Sequence, residues 1–477
     1  MFTAYTYQDW ERTPEWQRPE LMEKIIAAYK VSAEFTHALD ALAYFQGENP
    51  SVAKKTVLRA RKIECKDASG RKRVRAGTED VVGNRIGSGV FFRLVTQQNQ
   101  YLLANGVTLK DTTLKERLGL GFDKAMEQIG ERALLGGVSW GFWNVDHLET
   151  IEAVKDASSG FVALLDEETS APMVGVQFWQ ISAKRPLHVR LFELDGLTVY
   201  RRGKEEMEVI VTKRPYAISV ARDAAGEMIT GASNYGALPV IPLYANTEKR
   251  SELTPAIRAK IDAYDNILSD FADNLDRAND VYWVLNNFGG TTEDIAVMLE
   301  EISRIKAVAN LSDGTGAGST AEPHTIEVPY AARQTALQIL EREIYKDYMG
   351  VNMDEITGNS LTNVAIRTAT ANLNLKADRY EWQVFRFVQL VLALQGIKTE
   401  GISFKRQTIA NETEIIENIS VMREDIDDET ALKLNPYIDQ EAIPGILANR
   451  DAKVLTGFSS SAAADRARRG SDEQGDP

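Results

Sequence analysis

An apolar stripe runs from residue 254 to residue 287. Ile257, Ile261, Tyr264, Leu268, Phe271, Leu275, Ala278, Tyr282 and Leu285 follow one another at alternating steps of four and three. This spacing predicts one long helix with a single adhesive side. Thr254 is a natural N-cap, and Pro255 suits the first turn, where its missing N–H costs nothing. Asn286, Asn287, Gly289 and Gly290 are expected to stop the helix. At 1.5 Å per residue it is roughly 50 Å long, more than one small domain covers. Either it spans a large subunit or it packs on copies of itself, and the function turns on that choice.

The chain has 477 residues, enough for two to four structural units, and a formal charge of -14 from 69 acidic and 55 basic residues. A protein that wraps nucleic acid in a basic surface has the opposite sign, so contact with DNA is expected to be local or non-adhesive. One cysteine, Cys65, allows neither a disulfide framework nor a thiolate metal cluster within one chain. His37, His147, His188 and His324 share no short ligand spacing. The first sixteen residues have no basic segment followed by an apolar one, so no signal peptide is expected. The most apolar stretch, 384–394, is about half a membrane span and contains Arg386. An intracellular protein without membrane spans or redox chemistry is expected.

The local patterns predict an α+β fold. Residues 1–22 read as an extended arm or loop, and 21–45 as one helix closed by Gly47 and Asn49-Pro50. Residues 51–79 are rich in lysine and arginine, which fits an exposed basic strand pair or a phosphate-facing patch. A helix over 123–135 ends at Gly136-Gly137 and leads into an aromatic strand over 138–145. Period-two alternation then predicts strands near 174–179, 189–194, 197–201, 207–211 and 238–244. After the long helix come a short helix (293–305), a strand (306–311), a glycine-rich loop and a strand (324–328). Helices over 330–348 and 364–395 flank a polar segment, 351–363. The last third of the second is apolar on nearly every face and should be buried all round. A strand (402–407), two short acidic helices and a tail (459–477) too polar to fold alone complete the chain.

Chemical motifs are few. Gly314-Thr-Gly-Ala-Gly-Ser lacks the lysine of a phosphate loop, and Pro323 precedes a strand rather than a helix, so a loop tip is expected. Gly119-Leu-Gly-Phe-Asp opens a helix without the rest of a dinucleotide fingerprint. The pairs Asp262/Asp265 and Asp273/Asp276 are expected on a solvated or inter-subunit face of the long helix. Glu424, Asp425, Asp427 and Asp428 form an acidic cluster near a helix start, which suits the helix dipole. No nucleophile–histidine–acid set or paired-histidine metal motif is present, so neither a catalytic centre, a metal site nor a cofactor is expected.

Several local patterns occur in a telling order. Near the start stand Tyr44-Phe-Gln-Gly-Glu-Asn-Pro, Asn84-Arg-Ile, Leu94-Val and Tyr101-Leu-Leu-Ala-Asn-Gly. The glycine-rich aromatic strand near 133–145 follows, then Pro239-Val-Ile-Pro-Leu-Tyr-Ala-Asn, Ile261-Asp-Ala-Tyr-Asp and Ser269-Asp. Gly358-Asn-Ser, Ala365-Ile, Lys376-Ala, Asp427-Asp-Glu-Thr-Ala and Ile438-Asp complete the series. Over residues 25–445 this set resembles the portal proteins of long-tailed double-stranded DNA bacteriophages. The chain departs from the family at Asn246-Thr247, where an asparagine pair is usual, and after Lys376, where Asp378 and Arg379 follow.

The resemblance implies a closed ring, usually of twelve copies, at one capsid vertex of the virion, assembled in the host cytoplasm. It divides the chain into a wing (1–250 and 364–420), a stem (251–287 and 330–350), a clip (288–329), a tunnel loop (351–363), a crown (421–458) and a disordered tail (459–477). The channel passes double-stranded DNA without reading sequence, and the implied partners are terminase large subunit, adaptor or head-completion proteins, and the major capsid and scaffolding proteins. By resemblance, Thr357, Gly358, Asn359 and Ser360 face the DNA, and Arg304, Lys306, Gly314, Gly316 and His324 lie in the docking clip. Ile261, Tyr264, Leu268, Phe271 and Leu275 would form the packing seam of the stem. Two other readings fit the bare residues: a phage motor or nuclease subunit using the acidic pairs and the glycine-rich loop, or a coiled-coil structural adaptor.

Overall fold

The computed structural model of the chain describes residues 4–66, 72–204, 206–223, 226–278, 281–286, 320–325, 330–353, 363–397, 401–407, 412–422, 425–435, 437–438 and 442–449. Thr357, Gly358, Asn359, Ser360, Arg304, Lys306, Gly314 and Gly316 lie outside these residues, as do the elements expected over 293–311 and the tail. The chain divides into two units. One comprises residues 1–351 and 372–407, the other 352–371 and 408–477.

The first unit opens with helices α1 (Tyr7–Arg12), α2 (Arg18–Lys30), α3 (Ala33–Phe45) and α4 (Pro50–Ala53). Two expectations are corrected here. The N-terminal stretch is helical rather than an extended arm, because Trp10 is buried and its indole N–H donates to Glu193 (3.1 Å). The helix expected over 21–45 is broken at Val31-Ser32, where the Ser32 hydroxyl accepts from the Phe35 N–H (3.2 Å) and caps a new helix. An antiparallel ribbon of β1 (Thr56–Lys66) and β2 (Lys72–Val82) follows, then α5 (Val90–Leu103), β3 (Val107–Leu109), α6 (Thr112–Arg117) and α7 (Phe122–Gly136).

Helix α7 buries Phe122, Met126, Ile129 and Ala133 at helical spacing. Gly137 ends it in the left-handed region (φ +83°), where an added Cβ would meet the Lys249 carbonyl oxygen at 2.7 Å. Nine strands come next: β4 (Val138–Asn144), β5 (His147–Ile151), β6 (Val154–Asp156), β7 (Ser159–Leu165), β8 (Pro172–Trp179), β9 (His188–Glu193), β10 (Gly196–Arg202), β11 (Met207–Arg214) and β12 (Ala217–Asp223). Strand β13 (Gly226–Ser233) pairs with β12 alone, and β14 (Val240–Tyr244) joins β4 and β5.

Strands β6 to β11 form a six-stranded antiparallel meander. Both of its faces are covered. Val162, Leu164, Val176 and Phe178 meet α2 through Met22, Ile25 and Tyr29 and α3 through Phe35 and Ala38, while Phe161, Ala163 and Phe192 meet Val138, Trp140 and Phe142. Alternation along β7 produces this division, since adjacent side chains of a strand point to opposite sides.

Helix α8 (Pro255–Ala278) is shorter than the stripe predicted, which corrects the expected end at residue 287. Residues Val281–Asn286 instead form β15, paired antiparallel with β16 (Thr320–Thr325). Heptad spacing continues through Tyr282 and Leu285, but Val-Tyr-Trp-Val is β-branched and aromatic, and that chemistry favours a strand. Pro323 stands opposite Trp283 in this two-stranded ribbon, where a proline costs least. His324 is paired with Tyr282. Helix α9 (Tyr330–Tyr348) has the predicted bounds, and α10 (Asn363–Leu394) crosses from the second unit into the first. Strand β17 (Ile402–Phe404), shorter than expected, pairs with β3.

Helix α10 is not buried all round. Val384, Phe387, Val388, Val391 and Leu392 enter the helical core with α5, α7, the start of α8 and the end of α9, but Trp382 and Leu390 stay exposed. Gly130 of α7 permits the close approach in that core: an added Cβ would lie 2.5 Å from both Asn99 Oδ1 and the Tyr380 hydroxyl. In the second unit the described elements include α11 (Glu412–Val421) and α12 (Asp428–Leu434), the two expected acidic helices.

Candidate functional site

The apolar stripe of α8 lies against α9, and the two helices run antiparallel. Near the start of α8, Lys260 pairs with Asp347 (2.7 Å) at the end of α9. Near its far end, Phe271 meets Tyr330, the first residue of α9, edge to face at 5.6 Å. Along this pair burial falls steadily. Ile257 and Ile261 join the core with Ile344, Tyr345 and Tyr348, and Tyr264 packs partly against it. Leu268 and Phe271 are half-buried, and Leu275 is 42% exposed. On α9 the same grading leaves Ile339 and Tyr330 exposed. The expected seam is therefore divided: its near end is filled by the chain itself, and its far end is open.

A second face of α8, beside the apolar stripe, carries what the sequence missed. Asp262, Asp265, Ser269, Asp273 and Asp276 also step by three and four residues, and they grip other parts of the same chain. Asp262 accepts a hydrogen bond from the Tyr44 hydroxyl. Asp265, fully buried, accepts from the Asn49 amide (2.7 Å) and the Ser88 N–H (3.0 Å). Ser269 accepts from the Ile86 N–H (3.1 Å), and Asp273 from the Asn84 N–H (2.7 Å). Asn84 also reaches Asp276 (2.8 Å). Asp262, Asp265 and Asp273 are thus corrected from a solvated or inter-subunit face to an internal polar seam that holds residues 84–88, while Asp276 at its end stays exposed as expected. Their short side chains at heptad spacing were the available signal, since a solvated helix face is usually richer in glutamate and lysine.

Burial pushes the Asp265 carboxyl above the usual carboxylate range, and its hydrogen bonds oppose that shift. Asp265→Ala is expected to cost about 1–3 kcal/mol, because the Ser88 N–H and the Asn49 amide lose their acceptor in a dry site. Chemical unfolding of the purified chain measures it. An unchanged midpoint would mean that water replaces the carboxylate.

A second buried polar unit lies where α9 ends. Lys376 of α10 pairs with Glu252 at 2.7 Å, donates to the Tyr348 carbonyl oxygen at 2.8 Å and sits 3.2 Å from the centre of the Tyr348 ring. Tyr348 donates to Gln98 (2.7 Å), while Gln97 exchanges hydrogen bonds with the backbone N–H and C=O of Val351 (2.9 and 3.0 Å). Residues 348–351 are therefore tied to α5 and α10 from three sides. Burial draws the Lys376 ammonium down and Glu252 pulls it back up.

Burial also raises the phenols of Tyr44, Tyr216, Tyr348 and Tyr380 well above their ordinary value of 10.0. An unfolded tyrosine then loses its proton first, so the stability these groups contribute is full below about pH 10 and falls as the pH rises above it. Thermal melts between pH 8 and 11.5 are expected to show this decline. A flat profile above pH 10 would contradict the burial of these phenols.

Among the described residues no cluster of histidine, cysteine, aspartate or glutamate is arranged to hold a metal ion, and no helix is long and apolar enough to cross a membrane. Residues 32–454 match the family model of phage portal proteins, SPP1 Gp6-like. The chain belongs to that family.

The portal resemblance read from the motifs is thereby borne out. A portal protein of Clostridium phage phiCD119 (strain Clostridium difficile/United States/Govind/2006) is 26% identical over 221 residues, covering 45% of this chain and 48% of that protein. A portal protein of Bacillus phage SPP1 is 28% identical over 224 residues, covering 43% of each. The chain thus spans less than half the length of these portal relatives in the matched stretches.

Proposed function

We propose that the chain forms a ring at one capsid vertex and serves as the conduit for double-stranded DNA during packaging and ejection. The observation that carries this reading is the graded α8–α9 pair within a chain matched to the portal family over residues 32–454. A helix whose apolar stripe is half-filled by its own chain leaves a far end that copies can cover, and a repeated contact of this kind closes a ring when its rotation divides a full turn. The net charge of -14 supports sliding rather than gripping contact with DNA, because phosphates are repelled. The work is mechanical, with no bond-making step assigned to any side chain.

In this reading α8 and α9 are the stem, and residues 288–329 are the clip, the docking face for terminase large subunit and later for adaptor proteins. Arg304, Lys306, Gly314, Gly316 and His324 belong to that face. Residues 351–363, with Thr357, Gly358, Asn359 and Ser360, are the loop nearest the DNA. The tie of residues 348–351 to Gln97, Gln98 and Lys376 supports a fixed base for that loop. Residues 421–458 are the crown.

Deletion of residues 288–329 is expected to leave a folded protein that no longer captures purified terminase large subunit. Retained capture at equal affinity would remove the docking role from this segment.

A further inference from the structure

The ribbon of β1 and β2 stands apart from the rest of its own chain. Its strands pair from Thr56 opposite Val82 to Lys66 opposite Lys72, 11 residues in each, as a separate two-stranded sheet. At about 3.3 Å per residue it extends about 35 Å. Among the described residues no helix or third strand packs along it beyond its base. A lone two-stranded ribbon is marginally stable in water and gains stability when something covers it.

The base is clamped. Lys55 pairs with Asp270 of α8 at 2.7 Å and donates to the Asn266 carbonyl oxygen at 3.3 Å. Arg85 donates to the Lys55 carbonyl oxygen (3.3 Å), and Asn84 is held by Asp273 and Asp276. The ribbon is therefore a projection with a fixed root on α8, the helix that also carries the open apolar seam.

Its charge is opposite to that of the remainder. Residues 56–82 contain eight lysines and arginines against four acids, a net +4 in a chain of -14, which leaves -18 on everything else. Val57, Ile63, Val74 and Val81 interleave with these charges. A phosphate backbone has no use for such apolar positions, whereas a protein surface does. Around a ring, each neighbour presents its acidic surface at a high effective concentration.

We propose that the β1–β2 ribbon is an inter-subunit arm that docks on the acidic surface of a second copy of this chain. The proposal rests on the ring reading, and the ribbon's open strand edges offer backbone pairing in addition to charge.

The test places a photoreactive residue in the arm, Lys62→p-benzoylphenylalanine, in the full-length chain. Irradiation of the assembled protein is expected to give covalent dimers and higher species whose cross-linked peptides come from acidic segments. Raising the salt from 0.1 to 1 M before irradiation shortens the screening length from about 10 to about 3 Å, and the yield is expected to fall several-fold. Independently, the variant R59E/R61E/R73E/R75E is expected to lower the assembled fraction about tenfold at equal concentration. Rings visible by microscopy with no cross-link between copies, or with a cross-link only to added double-stranded DNA, overturn the arm and leave the portal reading standing. A chain that forms no oligomer under any condition overturns both.

Discussion

Glu252→Ala is expected to lower folding stability by about 3–5 kcal/mol, because it strands the buried Lys376 ammonium without its counter-charge. The side chains of Glu252 and Lys376 are only 13% and 12% exposed, so water does not replace the lost partner. The Tyr348 carbonyl and ring that also face Lys376 do not cancel a full charge. Pairing Glu252→Leu with Lys376→Met should restore most of the loss, since removing both ions also removes the cost of desolvating them. Chemical unfolding midpoints for the three proteins measure this. Equal midpoints for the single variant and the parent would contradict a buried ion pair at the end of α9.

The divided seam predicts opposite outcomes for two residues of one stripe. Ile261 is 1% exposed, so Ile261→Asp both empties a packed site and buries an unpaired carboxylate; a loss above about 4 kcal/mol is expected, enough to prevent accumulation of folded protein. Leu275 lies at the open end, and Leu275→Asp is expected to change monomer stability by no more than about 0.5 kcal/mol. Its effect falls on assembly, where every subunit contact would bury the new charge. Folded, monomeric Leu275→Asp by light scattering is the expected result. Intact oligomers from this variant would place the subunit contact elsewhere.

Much of the architecture is legible wherever local chemistry and tertiary packing agree. Helix α9 has the predicted bounds, α7 ends at the expected glycines, and the strands from 172 to 214 follow their alternation. Failures occur where one signal imitates another. The stripe keeps its heptad step past Ala278, yet the β-forming run Val281–Asn286 gains a partner strand that lies beyond residue 319 and that local spacing does not reveal. The acids of α8 look solvated until residues 84–88, far upstream, bring backbone N–H groups to them. Trp382 and Leu390 resemble core residues by composition, but among the described residues nothing covers them. Long-range pairing decides all three, and spacing along a helix carries no record of it. Of the proposed functional residues, the seam is described in atomic detail, and it was found by periodicity alone.

Ring closure around a channel is read out by averaged end-on electron micrographs of the purified protein. Closed rings of a fixed subunit number, about twelve, with a central opening wide enough for a duplex are expected. Only monomers or open filaments, at high concentration and across several salt conditions, would contradict it.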